Sequence, residues 1–314
     1  MIFCIMLQSL DQITSAARED SPQDTLDTLV QNAPAKINLH LMVKNKRPDG
    51  FHDLESVFLA LDFGDTLHFS IENDVSGAGN EKCCIDGVSI PDNIILKAVS
   101  LFRKKTGFSK GLKISAEKRI PLGGGLGGGS SDAAATLLAL NKMTGSPLKR
   151  ESLLELAAAL GSDVPFFIHE TAAAWVTGRG EIIEPIKVPD MSLLLVNPGF
   201  QSSTKTAFRL LDEQRWVGVR SKNNPSSLLT STSSLVTFFS SFGNDFLKVF
   251  PEREKAVYND IISQLRELGA VYANLSGTGS TCFGVFSGDE QAQETAHILK
   301  NRWKFVEFCR SKTW

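Results

Sequence analysis

The stretch Pro121-Leu-Gly-Gly-Gly-Leu-Gly-Gly-Gly-Ser-Ser131 places six of the chain's 25 glycines in seven consecutive positions and ends in two hydroxyl side chains. An alanine- and leucine-rich segment, Asp132 to Met143, follows and is predicted to be a helix. Glycine lacks a Cβ, so its backbone adopts positive φ angles and lets a bulky ligand approach. A loop that enters a helix also presents free N–H groups and the positive end of the helix dipole. The stretch therefore predicts an anion site, and a phosphate chain is the commonest anion of that size.

Other glycine-rich motifs do not account for this stretch. Gly123, Gly125 and Gly128 satisfy the dinucleotide pattern GxGxxG, but no acidic residue follows where a ribose partner would lie. The P-loop pattern GxxxxGK[ST] fails because Ser130 stands where lysine is required. The protein-kinase set fails because Asp62-Phe63-Gly64 is a lone tripeptide without an HRD loop. A flexible linker is disfavoured, since apolar segments flank the run closely.

Length, composition, net charge and cysteine count limit the classes of protein to which this chain can belong. A length of 314 residues predicts two domains or one large one, and 42% hydrophobic residues support a sizeable core. A net charge of −2 gives no reason to expect nucleic acid or an anionic membrane as a partner. The five cysteines are odd in number and two are adjacent, which indicates neither a disulfide framework nor a zinc site. A cytoplasmic location is the expectation.

Two segments are predicted to lie outside the regular elements. Residues 1–31 begin with an apolar run that lacks a basic region, so a signal peptide is disfavoured, and continue as a polar, acidic stretch. They are predicted to be an extension outside the fold. Residues 212–243 contain a stretch rich in serine, threonine and asparagine and are predicted to be a surface insertion.

Local patterns place two polar motifs near the glycine stretch. Alternation over Ala33–Val43 predicts a strand that carries Lys36 and Asn38, where a lysine usually faces solvent. Pro165 is predicted to end the preceding helix and to bias Val164 toward an extended conformation. Asp163, just before them, is on local grounds most simply interpreted as a turn or helix cap.

Five segments occur in the order seen in one known family. They are Pro34-Ala-Lys-Ile-Asn-Leu39, Pro48-Asp-Gly-Phe-His52, the Pro121–Ser131 stretch, Gly161-Ser-Asp-Val-Pro165 and Leu275-Ser-Gly-Thr-Gly279. From about Ala33 to the C-terminus, apart from residues 212–243, the chain resembles the GHMP kinase superfamily. The resemblance implies an α+β, two-domain fold: an N-terminal ribosomal-protein-like α/β domain over 32–187 and a C-terminal ferredoxin-like α+β sandwich over 188–314. The active site would then lie in the cleft between the domains.

The resemblance also implies roles for residues. Asp163 matches the family's catalytic aspartate, which accepts the proton of the acceptor hydroxyl, and Lys36 matches its electrostatic partner. ATP and Mg²⁺ are the implied cofactors, with Lys118 near the adenine and no metal ligand assigned beyond a serine hydroxyl. The implied phosphate cradle comprises Pro121, Leu122, Gly123, Gly124, Gly125, Leu126, Gly127, Gly128, Gly129, Ser130 and Ser131.

The branch of the family that the chain resembles phosphorylates a cytidine diphosphate-linked sugar alcohol in the non-mevalonate route to isoprenoid precursors. Phe51 stands where the family commonly has tyrosine, and a ring at that position stacks on the cytosine. The implied substrate contacts are Asn38, Phe51, His52, Thr204, Phe208, Gly277, Thr278 and Gly279. The alternatives are a homoserine- or mevalonate-type kinase and a catalytically silent nucleotide-binding regulator. No nucleic-acid or membrane partner is expected, and the chain is predicted to be a monomer or weak homodimer.

Overall fold

Two long antiparallel strands, β1 (Thr28–Lys46) and β2 (His52–Glu72), form the centre of the first sheet. The computed structural model describes residues 26–72, 82–85, 88–89, 93–214 and 239–313. The other strands of this sheet are β3 (Lys82–Ile85), β4 (Val88–Ser89), β5 (Gly111–Glu117), β6 (Ala173–Thr177) and β7 (Ile182–Pro185). Their order is β4-β3-β5-β2-β6-β7, with β1 paired to β2.

Four helices accompany the first sheet and bury its core. They are α1 (Ile94–Thr106), α2 (Gly128–Met143), α3 (Arg150–Leu160) and α4 (Val164–Ile168). Asn93 caps α1 by accepting the N–H of Leu96, as its side-chain chemistry predicts. Most of α2 is buried, which explains why its sequence is rich in alanine rather than amphipathic. The predicted helix behind the glycine stretch therefore becomes the central helix of this layer.

The second sheet has the ferredoxin-like arrangement that the resemblance implies. Its strands are β8 (Ser192–Asn197), β9 (Tyr272–Leu275), β10 (Cys282–Phe286) and β11 (Phe305–Arg310), all antiparallel and ordered β11-β8-β10-β9. Its helices are α5 (Thr204–Glu213), α6 (Phe246–Val249), α7 (Glu252–Glu267) and α8 (Asp289–Leu299). None of the helices in the described ranges is both long and apolar enough to cross a membrane.

A shared hydrophobic cluster joins the two sheets. Ile37 and Leu59 of the first sheet belong to the same buried cluster as Leu193 and Phe283 of the second. Each of these side chains is fully buried. Apolar burial of this kind stabilises at roughly 25 cal/mol per Å². The cleft between the sheets is consequently bounded by one continuous core, while the boundary near residues 187 and 188 remains a prediction.

The structure places the end of the proposed N-terminal extension, and both ends of the proposed surface insertion, within the packed part of the chain. β1 begins at Thr28, inside the proposed extension 1–31, because residues 28–31 pair with 67–70 of β2. Residues 1–25 of that extension lie outside the described residues. Within the proposed insertion 212–243, α5 continues to Glu213, and Phe239 is buried with its ring stacked 4.4 Å from that of Tyr272. Residues 215–238 lie outside the described part of the chain.

Candidate active site

The glycine stretch forms a turn that enters α2, as the sequence predicts. Gly123, Gly125 and Gly127 have φ angles of 63°, 75° and 71°, in the region that glycine adopts without steric cost. Gly127 is the N-cap residue of α2, and no side chain caps the helix there. The first N–H groups of a helix have no intrahelical partners, so this end of α2 offers donors to an anion.

Some of these glycines are required by packing rather than by a ligand. A Cβ on Gly125 would lie 2.2 Å from the backbone oxygen of Ser276 and 2.9 Å from that of Gly279. Ser276 also donates its hydroxyl to the backbone oxygen of Gly125 at 2.9 Å. The third motif, Gly277-Thr278-Gly279, therefore follows directly on a residue bonded to the glycine loop. Thr278 in turn lies 3.3 Å from Thr204, Oγ1 to Oγ1.

Lys36 and Asp163 form an ion pair inside the cavity that the glycine loop lines. Their Nζ and Oδ2 atoms are 3.1 Å apart, and the cavity of about 390 Å³ is bounded by both residues, the loop, Asn38 and Thr278. The Lys36 ammonium also donates to Asn38 Oδ1 at 2.7 Å and lies 4.2 Å from the centre of the Phe58 ring. With only 5% of its side chain exposed, Lys36 does not have the solvent-facing orientation usual for a strand lysine.

Asp163 occupies the N-cap position of α4, but its side chain makes no capping hydrogen bond. The cap interpretation is therefore wrong for its carboxylate, which is 31% exposed and turned toward Lys36. The expected extended conformation of Val164 is also wrong, because Val164 begins α4 with Pro165 second. Proline is tolerated there, since the N–H groups of the first turn need no helical partner.

A second cavity of about 610 Å³ shares Asp163, Thr204 and Phe208 with the first. Phe51 lies at this cavity with half of its surface exposed. The His52 ring stacks on that of Phe208 at 5.4 Å, and its Nε2 lies 3.1 Å from Asp212 Oδ1. The structure thus brings the predicted substrate residues to two cavities that share Asp163, with the exception of Gly279, which lines neither cavity.

Two further residues of this region have no motif in the sequence that marks them. Asp212 was assigned to the insertion, but its carboxylate contacts both His52 and Lys46. The Lys46 Nζ atom lies 2.5 Å from Asp212 Oδ2. The partner Lys46 lowers the pKa of the Asp212 carboxyl through its hydrogen bond. Arg179 lies in the turn between β6 and β7 with its guanidinium 4.8 Å from the Phe51 ring centre. Both contacts join residues distant in sequence, so no local pattern indicated them.

Lys118 lines the first cavity, but its ammonium is held from behind by two buried carboxylates. It bonds Asp65 and lies 2.5 Å from Asp132 Oδ2. Asp65 Oδ1 also accepts the N–H groups of Arg119 and Ile120, at 2.7 and 2.8 Å. Because these contacts join the entry of the loop to the first turns of α2, the cluster braces both ends of the glycine stretch. Its two aspartates were not identified from the sequence.

Replacement of Asp132 by asparagine is expected to change how stability depends on pH. Burial raises the pKa of Asp132 to about 7, although the Lys118 ammonium opposes the shift. The folded chain holds this proton more tightly than the unfolded chain. The stabilisation from protonated Asp132 is therefore complete below the pKa of an ordinary aspartate and is lost as the pH rises through about 7. When the pH is raised from 5 to 8, the free energy of unfolding of the native chain should fall by roughly 2 kcal/mol relative to that of the variant. Urea unfolding at both pH values measures this.

Asp190→Asn supplies the control, because Asp190 is an exposed carboxylate. Its unfolding free energy should follow that of the native chain at both pH values. A parallel pH dependence of the native chain and the Asp132 variant would contradict the raised pKa.

Comparison with known proteins identifies relatives over most of the chain. Residues 93–171 match the GHMP kinases N terminal domain, and residues 238–304 match the GHMP kinases C terminal domain. A 4-diphosphocytidyl-2-C-methyl-D-erythritol kinase from Ralstonia nicotianae is 36% identical over 272 residues, covering 87% of this chain and 90% of that protein. The crystal structure of a 4-(cytidine 5'-diphospho)-2C-methyl-D-erythritol kinase is 28% identical, with a TM-score of 0.75 over 91% of this chain and 100% of that one.

A homoserine kinase from Cytophaga hutchinsonii shares the fold alone. Its crystal structure is 17% identical to this chain, with a TM-score of 0.66, and covers 93% of this chain and 96% of its own. Together the matches confirm the two-domain GHMP kinase fold.

Proposed function

This chain belongs to the family of 4-diphosphocytidyl-2-C-methyl-D-erythritol kinases, and we propose that it transfers a phosphoryl group from ATP to the 2-hydroxyl of 4-diphosphocytidyl-2-C-methyl-D-erythritol. The reaction belongs to the non-mevalonate route to isoprenoid precursors. The observation that carries the proposal is the Lys36–Asp163 pair at 3.1 Å, in the cavity lined by the glycine loop.

Asp163 is the proposed base. Its carboxylate is partly exposed at the junction of the two cavities, where an acceptor hydroxyl and a terminal phosphoryl group can meet. It accepts the hydroxyl proton as the new O–P bond forms to the γ-phosphorus of ATP and the bond from that phosphorus to the leaving ADP breaks. Removing the proton increases the negative charge on the attacking oxygen.

Lys36 is the proposed electrostatic partner. Its buried ammonium contacts Asp163 and Asn38, so its position is fixed before any ligand binds. A fixed cation stabilises the negative charge that spreads over the transferring phosphoryl oxygens. Asn38 itself is held in place because it donates from Nδ2 to Ser56 Oγ at 2.9 Å.

The end of the glycine loop fits a magnesium–nucleotide complex in part. The described residues contain no group of three or more histidine, cysteine, aspartate or glutamate side chains that would hold a metal by themselves. Mg²⁺ is commonly held by substrate phosphates with few protein ligands. Ser130 lines the cavity, and the buried Ser131 Oγ has no hydrogen-bond partner within the described ranges. When bound, the metal supplies positive charge to the phosphate oxygens, and these hydroxyls are its proposed protein ligands.

Phe51 and Phe208 are proposed to bind the cytosine. Both rings line the second cavity, and His52 beside them can exchange hydrogen bonds with the edge of a base. Asp212 and Phe208 fix the orientation of His52. The phenylalanine at position 51 retains stacking and omits the hydroxyl that a tyrosine would contribute.

Measurement of ADP release with a panel of acceptors tests the function. The cytidyl erythritol should be phosphorylated, whereas homoserine and mevalonate should give rates at least about a hundredfold lower, since neither fills a base pocket. Activity on homoserine or mevalonate instead would assign the chain to another GHMP kinase activity. ATP binding without ADP release on any acceptor would support the silent regulator.

Phe51→Ala is expected to raise KM for the cytidyl substrate by about tenfold or more, because base–aromatic stacking contributes about 1–3 kcal/mol. KM for ATP should change less than about twofold, as Phe51 lines only the second of the two cavities. Phe51→Tyr keeps the ring and serves as the matched control, with near-native KM. Steady-state kinetics with each substrate varied in turn measures the effect. An equal rise in both KM values would contradict the stacking role.

A further inference from the structure

Arg179 presents a cation to the cavity that contains Asp163 and the proposed base pocket. Its guanidinium lies 4.8 Å from the centre of the Phe51 ring. Its Nε forms a long ion pair with Glu181 Oε1 at 3.8 Å, a distance too long for a hydrogen bond. No hydrogen bond from the guanidinium is formed to the described residues. Most of its donors are therefore available to a ligand.

The turn that carries Arg179 is held firmly on both sides. Leu54 donates its N–H to the backbone oxygen of Gly178 at 2.7 Å, and Arg179 donates its own N–H to Glu181 Oε2 at 2.5 Å. Gly180, with φ 120°, packs so closely that a Cβ there would lie 3.3 Å from Ser162 Cβ and 3.7 Å from Asp163 Oδ1. The residue before Arg179 is therefore hydrogen-bonded to the strand that follows Phe51 and His52, and the residue after it packs near Asp163.

The charge of the proposed substrate requires a cation in this position. A cytidyl diphosphate alcohol carries two anionic phosphates between the base and the alcohol. With the base at Phe51 and the hydroxyl at Asp163, those phosphates pass through the cavity between them. Lys36 is already engaged by Asp163 and Asn38. On the α5 side of the same cavity, Arg209 is hydrogen-bonded to Glu213, and Lys205 is exposed in the first turn of the helix.

We propose that Arg179 binds the diphosphate of the substrate and selects nucleoside diphosphate-linked alcohols over uncharged nucleosides. The proposal rests on the proposed function for the orientation of the substrate. A guanidinium matches the geometry of phosphate oxygens because its N–H donors form a planar fork. Because Arg179 lines the cavity and its guanidinium lies over the Phe51 ring, it joins base recognition to phosphate recognition.

Arg179→Gln tests the assignment by kinetics and by competition. KM for the cytidyl diphosphate substrate should rise about tenfold or more, which corresponds to the loss of one charge-assisted contact, with KM for ATP changed less than about twofold. Inhibition by CDP should weaken by about tenfold as well, whereas inhibition by cytidine should change less than about twofold. Arg179→Lys should recover part of the CDP affinity.

Arg209→Gln is the matched control, because it removes the same charge from the same cavity. It should change the CDP inhibition constant less than about twofold. Equal weakening of CDP and cytidine in Arg179→Gln would overturn the proposal and leave Arg179 as a stacking partner of Phe51 only. Unchanged CDP inhibition would overturn it too. If the native chain is inactive on the cytidyl substrate, the proposed function fails, and calorimetry with CDP and cytidine still tests Arg179 separately.

Discussion

Replacing Asp163 with asparagine is expected to lower kcat by about a thousandfold, because the amide cannot accept the proton of the attacking hydroxyl. The substitution keeps the size of the side chain, and the carboxylate that it removes makes no capping bond to α4. The loss should therefore fall on the chemical step. ATP affinity, measured by calorimetry or by nucleotide competition, should change less than about threefold.

A measurement of stability separates this loss from misfolding. The unfolding free energy of Asp163→Asn should lie within about 2 kcal/mol of the native value, since the amide oxygen can still accept from the buried Lys36 ammonium, which also donates to Asn38. Lys36→Met should also reduce kcat, because it removes the ammonium that contacts both the Asp163 carboxylate and the side-chain oxygen of Asn38. A kcat within tenfold of the native value in Asp163→Asn would remove Asp163 from the role of base.

Gly125→Ala is expected to destabilise the fold by about 2–4 kcal/mol and to raise KM for ATP sharply. The positive φ of Gly125 is unfavourable for alanine, and the new Cβ would overlap the backbone oxygen of Ser276 at 2.2 Å. The atoms that the new Cβ would meet are backbone oxygens, those of Ser276 and Gly279. Because backbone cannot move aside as a flexible side chain can, the glycine loop must shift away from the Gly277–Gly279 motif in the variant. Urea unfolding measures the stability, and steady-state kinetics measures KM.

Gly129→Ala is the matched control for stability. Gly129 lies in the first turn of α2, has no positive φ, and its Cβ would meet only Ile94 Cγ2 at 3.8 Å. Alanine in a helix is preferred over glycine, so the variant should keep or gain about 0.5–1 kcal/mol. Equal destabilisation by both substitutions would show that the two glycines are not distinguished by packing against Ser276.

Local sequence was sufficient for several of the elements. The helix after the glycine stretch and the strand carrying Lys36 follow from local composition and short-range periodicity, whereas the second sheet was implied by the resemblance. The order of five motifs was sufficient for the family, which the relatives confirm. A strand lysine and an aspartate before a proline had ordinary alternative explanations. Only their occurrence with the other motifs favoured catalysis.

The sequence by itself determined the family, the glycine loop and the residue types available for phosphoryl transfer, because these depend on neighbours in the chain. Tertiary structure decided what those residues contact. Lys36 is buried and faces Asp163, and Gly125 contacts Ser276 across the cleft. The Asp65–Lys118–Asp132 cluster and the Arg179–Phe51 contact were likewise absent from any local pattern. Such pairs come together only when the sheets and helices pack, so periodicity and spacing along the chain carry no signal for them.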